Sequence, residues 1–181
     1  MFGKAGFAVS GFCALSVLAG AAMAGAVPAR ADAVDQANFC YVYTSGGQND
    51  KAIEACSKAI ASGDLQDADL VSALINRGVA YKAEGKLDAA IGDYTQALKL
   101  VPQDALVLSN RANAYLEKGD LDAAEDDIKK SLDIDPKSAA AWYVSGEIKD
   151  AKGEPGARKD YIQALALAPD NKTYQAKVAG K

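Results

Sequence analysis

The sequence predicts an all-α protein, a stack of about four helical hairpins, and three observations point that way. The run from Val71 to Tyr81 (VSALINRGVAY) returns 34 residues later, without insertion or deletion, as Ala105 to Tyr115 (ALVLSNRANAY). At the same offset Gly85-Lys86-Leu87-Asp88-Ala89-Ala90 returns as Gly119-Asp120-Leu121-Asp122-Ala123-Ala124, Ala97 as Ser131 and Pro102 as Pro136. Half of the 181 residues are apolar, much of that alanine, and eight tyrosines outnumber four phenylalanines and one tryptophan. That composition suits close helix packing better than a sandwich or barrel, and self-similarity at such a period marks a solenoid.

Taken in order, residues 1–31 differ from the rest. Lys4 is the only charge before Arg30, and an apolar run rich in Ala, Gly, Val and Leu extends from Ala5 to Val27. The pattern reads as a secretory signal peptide: a short basic start, an apolar stretch within Phe7 to Ala24, and Ala29-Arg30-Ala31 as a small-x-small site before Asp32. Ala22-Met23-Ala24 is an alternative site. A retained membrane anchor is the rival reading, since the run approaches the ~20 residues that span a bilayer. Interspersed glycines and Pro28 favour removal, after which no stable membrane span is expected. Cys13 has no small-residue site directly before it, which argues against a lipoprotein.

Without Lys4 and Arg30 the remaining chain carries 18 basic and 24 acidic residues, net −6. With no basic patch, neither nucleic acid nor an anionic membrane is expected as partner.

Each unit beyond residue 33 reads as two helices of about a dozen residues with 3.6-period apolar positions. A Gly-led turn (Gly85, Gly119, Gly153) joins them, and a Pro that cannot continue a helix closes them. One such hairpin cannot bury both faces, so neighbours must stack.

These units resemble the tetratricopeptide repeat, with its large, small, aromatic, small, aromatic, small and Pro positions. The second unit (71–104) has Leu74, Gly78, Tyr81, Ala90, Tyr94, Ala97 and Pro102; the third (105–138) has Leu108, Ala112, Tyr115, Ala124, Ile128, Ser131 and Pro136. The fourth (139–171) starts with Trp142 and Gly146, then has Ala157, Tyr161, Ala164 and Pro169 one residue early, because Gly153-Glu154-Pro155-Gly156 shortens its turn. Lys149 stands there in the place of Tyr, so looser packing is expected at that end. A degenerate first unit (33–66) keeps Cys40, Tyr43, Ala52, Cys56 and Ala59, and four extra residues, Asp67 to Leu70, precede the second. Residues 172–181 read as a polar capping helix. The resemblance implies a right-handed α-solenoid and a protein-binding role.

In the first hairpin, with its turn near residue 48, Cys40 and Cys56 stand level on facing helices, which makes a bridge feasible. Export favours it; two buried free thiols are the alternative. No C-x-x-C pair suggests a redox site.

The catalytic signals are missing. The chain has no histidine, which removes His-based triads and most zinc sites, and no phosphate-binding glycine motif occurs. Neither an enzyme activity, a cofactor nor a metal is expected. Asp64, Asp67 and Asp69 lack the glycine and terminal Glu of a calcium loop, and Glu125-Asp126-Asp127 is expected on a solvated helix face. Asn171-Lys172-Thr173 matches a glycosylation sequon by pattern only.

In the repeat family the first helix of each unit lines a concave groove. The resemblance carries that lining to Tyr41 in unit one, Ile75, Asn76, Val79 and Lys82 in unit two, Ser109, Asn110, Asn113 and Leu116 in unit three, and Tyr143, Glu147 and Asp150 in unit four. Asn76 and Asn110 stand where such arrays hold a peptide backbone, an amide being both donor and acceptor; a scaffold role within the array is the other reading. Chaperone-binding relatives grip a C-terminal carboxylate with Lys, Asn and Arg, but here those places hold Ala37, Tyr41, Asn76, Leu106 and Asn110, without the cations. Arg77 and Arg111 sit one place off the groove and are expected to pack along, or pair with, neighbouring acidic helices. The implied partner is a peptide segment or helix of another protein; the alternative is an envelope component that self-associates through its convex or terminal faces.

Overall fold

The computed structural model describes residues 26–180. Nine α-helices follow one another there: α1 (Ala26–Ser45), α2 (Asn49–Ser62), α3 (Asp67–Ala83), α4 (Leu87–Leu100), α5 (Ala105–Lys118), α6 (Leu121–Ile134), α7 (Ala139–Lys152), α8 (Ala157–Leu167) and α9 (Lys172–Ala179). Consecutive pairs form four antiparallel hairpins stacked in a right-handed solenoid, α9 lies on the last, and no described residue is in a strand. Substantial contacts join each helix only to helices of its own or the adjoining unit.

The basic start, the apolar stretch and Cys13 of the expected signal peptide lie outside the described residues. The Ala29-Arg30-Ala31 motif falls within α1, and Ala33, buried at the root of the first hairpin, is downstream of both candidate cleavage sites. Asp67 to Leu70, which the repeat pattern leaves over between units, form the first turn of α3 and lengthen it to 17 residues. Among the described residues no helix is long and apolar enough to cross a membrane.

The turns follow from residue type. Gly47, Gly85, Gly119 and Gly153 adopt φ of 67°, 70°, 88° and 68°, a left-handed conformation that a Cβ disfavours. Side chains satisfy exposed amides at several helix starts: Asp104 accepts from the Val107 amide at 3.0 Å, Ser138 from Ala141 at 3.3 Å, and Asn171 from Thr173 and Tyr174 at 3.0 and 3.2 Å. Asn171, the sequon asparagine, thus caps α9.

What sets the hairpin geometry is one crossing contact per unit. A Cβ built on Gly78 meets the Tyr94 ring at 2.6 Å, and one on Gly146 meets the Tyr161 ring at 2.5 Å; glycine is required because the ring lies where a methyl group would be. Ala112 and Ile128 take the corresponding places in the third unit, within one buried cluster. In the first unit those places belong to Cys40 and Cys56, which are bonded with their Cα atoms 4.8 Å apart. The bridge therefore stands where the other units use a small residue and a large one.

Gly78→Ala is expected to cost about 1–3 kcal/mol by overpacking. Adding Tyr94→Ile, which reproduces the third unit's pair, should recover most of it. Gly92→Ala, within α4 and facing open space, should instead stabilise by about 1 kcal/mol; urea unfolding of the three variants reads all signs. Reducing the Cys40–Cys56 bridge should remove about 3 kcal/mol through the freed loop, seen as a lowered melting temperature in reductant that a Cys40→Ala, Cys56→Ala variant no longer displays.

Candidate functional site

The first helices of the units, α1, α3, α5 and α7, carry the residues that the repeat pattern assigns to a groove. Tyr41 is 62% exposed on α1. Asn76 on α3 and Asn110 and Asn113 on α5 are half-buried, and no other described residue hydrogen-bonds to their side-chain amides. Only the backbone of Asn76 is engaged, its carbonyl accepting from Thr44 Oγ1 at 3.5 Å.

The remaining positions are less available. Ile75 and Val79 pack on the cluster of Val71, Leu74 and Tyr94, and Leu116 on that of Ala112 and Ile128. Lys82 bridges to Glu117 on the next first helix at 2.7 Å. Ser109, expected to line the groove, is buried, its short side chain closed over by its neighbours. Tyr143 and Glu147, expected to be open, are covered by α9: the Tyr143 and Tyr174 rings stack at 4.9 Å and Lys177 pairs with Glu147 at 3.5 Å. Burial, reinforced by the Glu147 carboxylate, pushes the Tyr143 phenol up to about 12. Asp150 is exposed and accepts from the Tyr161 hydroxyl at 2.6 Å; burial first, and then this carboxylate, raise that phenol too.

Behind the groove runs a second repeated device. Arg77 donates through Nε and Nη2 to both oxygens of Asp93 at 2.8 Å, and through Nη1 to Ser57 Oγ on the preceding second helix at 3.1 Å. Arg111 does the same with Asp127 at 2.6 and 2.9 Å and Thr95 at 3.0 Å. Each guanidinium also lies over the tyrosine one turn on, Tyr81 or Tyr115. Hydrogen bonding to the carboxylate raises both arginines above their ordinary range, against the opposing effect of burial. Asp127 is thus not on a solvated face: it is buried, because a charge can be buried when a bidentate partner is supplied. Its neighbour Glu125 is held down to about 2 by hydrogen bonds from Lys129 and Lys152.

The fourth unit departs from this. Ser145 stands in the place of the arginine and Lys149 in that of the tyrosine; both donate to Asp160 Oδ2, at 2.7 and 2.6 Å. Lys149 is therefore anchored rather than loose, and the slack appears instead between α6 and α7, where a pocket of about 380 Å³ opens.

Two sets of residues escaped the sequence reading. Asn38, exposed on α1, is the first unit's counterpart of Asn76 once the four extra residues of α3 are counted. The aspartates at 93 and 127 were legible only as the recurrence of Arg-x15-Asp at the same 16-residue spacing in two units; Asp160 has no such mark, since Ser145 holds the arginine's place and stands 15 residues before it.

The tetratricopeptide-repeat family matches residues 75–139 and 110–154, the region of the Gly78/Tyr94 crossing and the Arg/Asp pairs. Residues 75–154 belong to the tetratricopeptide-repeat family. Its array is similar to the first tetratricopeptide domain of Spaghetti (RPAP3) bound to the HSP90 peptide SRMEEVD, at 27% identity and a TM-score of 0.57 over 61% of this chain and 88% of that one. It is also similar to the second such domain of human RPAP3 in complex with the HSP70 peptide SGPTIEEVD, at 27% identity and a TM-score of 0.57 over 64% and 97%. The MamA protein shares the fold over more of the array, with a TM-score of 0.66 over 81% of this chain and 79% of that one, at 20% identity. A search of curated protein sequences finds no match.

Arg111→Ala should destabilise the tetratricopeptide array by about 3 kcal/mol, since it leaves Asp127 buried without its cation. Arg111→Ala with Asp127→Ala should cost clearly less than that. Urea unfolding of the single and double variants measures the difference.

Proposed function

We propose that this tetratricopeptide protein is a non-catalytic adaptor of an exported compartment that holds a peptide segment or helix of one partner along α1, α3 and α5. The observation that carries this is the pair Asn76 and Asn110: equivalent amides on adjoining first helices, half-buried and without a hydrogen-bond partner among the described residues. A half-buried amide gains from a ligand that both donates and accepts, which an extended backbone does. Tyr41, Asn38 and Asn113 extend the same surface, while the α9-covered Tyr143 and Glu147 mark its end. The relatives that bind EEVD-type peptides are a guide to the mode and not to the ligand: Ala37, Tyr41 and Leu106 supply no cation for a terminal carboxylate. The apolar N-terminal stretch and the buried disulfide support export.

Self-association is the second reading, and the N-terminal end favours it. Phe39, Tyr41 and Val42 on α1 are 48%, 62% and 56% exposed among the described residues, which include no counterpart at this end of the α9 cap at the other.

Asn76→Ala with Asn110→Ala should leave stability within about 0.5 kcal/mol, as changes away from structural features do, yet abolish crosslinking of a partner to a photoreactive residue placed at Asn113. If that adduct survives the double variant, the groove reading fails; if the only adduct is a second copy and the mass rises with concentration, the self-association reading replaces it.

A further inference from the structure

The pocket between α6 and α7 stands apart from the groove. Glu125, Lys129, Leu132 and Asp133 of α6 face Trp142, Ser145, Ile148 and Lys149 of α7 across it. Units two and three show what normally fills this place. There an arginine leaves the first helix, takes both oxygens of a buried aspartate and reaches the hydroxyl of the preceding second helix. In the fourth unit the aspartate is kept, as the buried Asp160, but Ser145 is too short to occupy the volume. Lys149 supplies charge without that reach: its ammonium and the Ser145 hydroxyl share Oδ2, and no described donor reaches Oδ1. The walls combine the Trp142 indole, the aliphatic Ile128, Leu132 and Ile148, and three carboxylates, Glu125, Asp133 and Glu154; Lys129 and Lys152 already hold Glu125, Lys152 lies 3.6 Å from Glu154 and Lys149 is taken by Asp160, which leaves Asp133 without an ion-pair partner among the described residues.

We propose that this pocket receives an arginine side chain from a partner polypeptide, replacing from outside the arginine that units two and three supply from within. The guanidinium stacks on Trp142 and pairs with Asp133, which has no ion-pair partner among the described residues, and a planar five-donor fork does both better than lysine. This site is independent of the groove, so either can exist without the other.

Trp142 is the only tryptophan in the chain, so intrinsic fluorescence reports on this pocket. The test titrates the full chain with a capped arginine tripeptide and with tripeptides in which citrulline or lysine replaces arginine. A saturable change with the arginine peptide is expected, at least tenfold weaker with citrulline, which has the shape without the charge, and weaker with lysine. Ser145→Arg with Lys149→Tyr restores the second and third units' arrangement and should eliminate the response while the melting temperature is kept or raised. A response equal for arginine and citrulline, none at all, or one that persists in the folded double variant overturns the proposal; the citrulline comparison decides on the wild-type chain even if the variant does not fold.

Discussion

The close approach of the two helices in each hairpin is the constraint on which the array depends. Where Gly78 meets Tyr94 and Gly146 meets Tyr161, the ring of one helix rests on the backbone of the other, and this distance sets how far every following helix is displaced. Interiors are packed like crystals and adjust little, so a unit can meet the constraint in only a few ways. Three are present: glycine with tyrosine, alanine with isoleucine, and a covalent bond between two cysteines. The first unit, which lacks both the arginine and the aspartate of its neighbours, having Phe39 and Ala55 at those places, is the one that has the bond.

The buried ion pairs play a different part. A bidentate Arg–Asp pair reaching a hydroxyl on the preceding unit adds direction to an interface that small apolar residues alone leave slippery, a role in register that buried charges are best attested to have. Arg77 and Arg111 each join three helices in this way. The last unit gives up that reach, and its outer side is secured instead by α9, through Tyr174 on Tyr143 and Lys177 on Glu147.

Much of the fold was legible because the repeat is close to perfect between 71 and 138: glycine turns, closing prolines and apolar period all agree. The level placement of Cys40 and Cys56 followed from the same hairpin logic. The site was less legible. Position within a repeat says which way a side chain points, but not how closely its neighbours come, so the repeat position of Ser109 predicts a lining residue where the side chain is buried. Nor does it say what caps the end, which is why Tyr143 and Glu147 were expected open. Asp127 was hidden within an acidic triplet; only its spacing from Arg111, repeated by Arg77 and Asp93, distinguishes it from the solvated Asp126.

Contacts confined to adjoining units have a consequence for how the chain reaches this state and how it came by it. No substantial contact closes a loop longer than two adjoining units, so the chain entropy lost before packing begins to reward it is limited, and folding that starts in any unit and spreads to its neighbours is the expectation. By the same locality, copying residues 71–104 in tandem would create only interfaces already present. The array is thus a structure whose length can change by whole turns of the solenoid while its ends, one tied by sulfur and one sealed by α9, stay as they are.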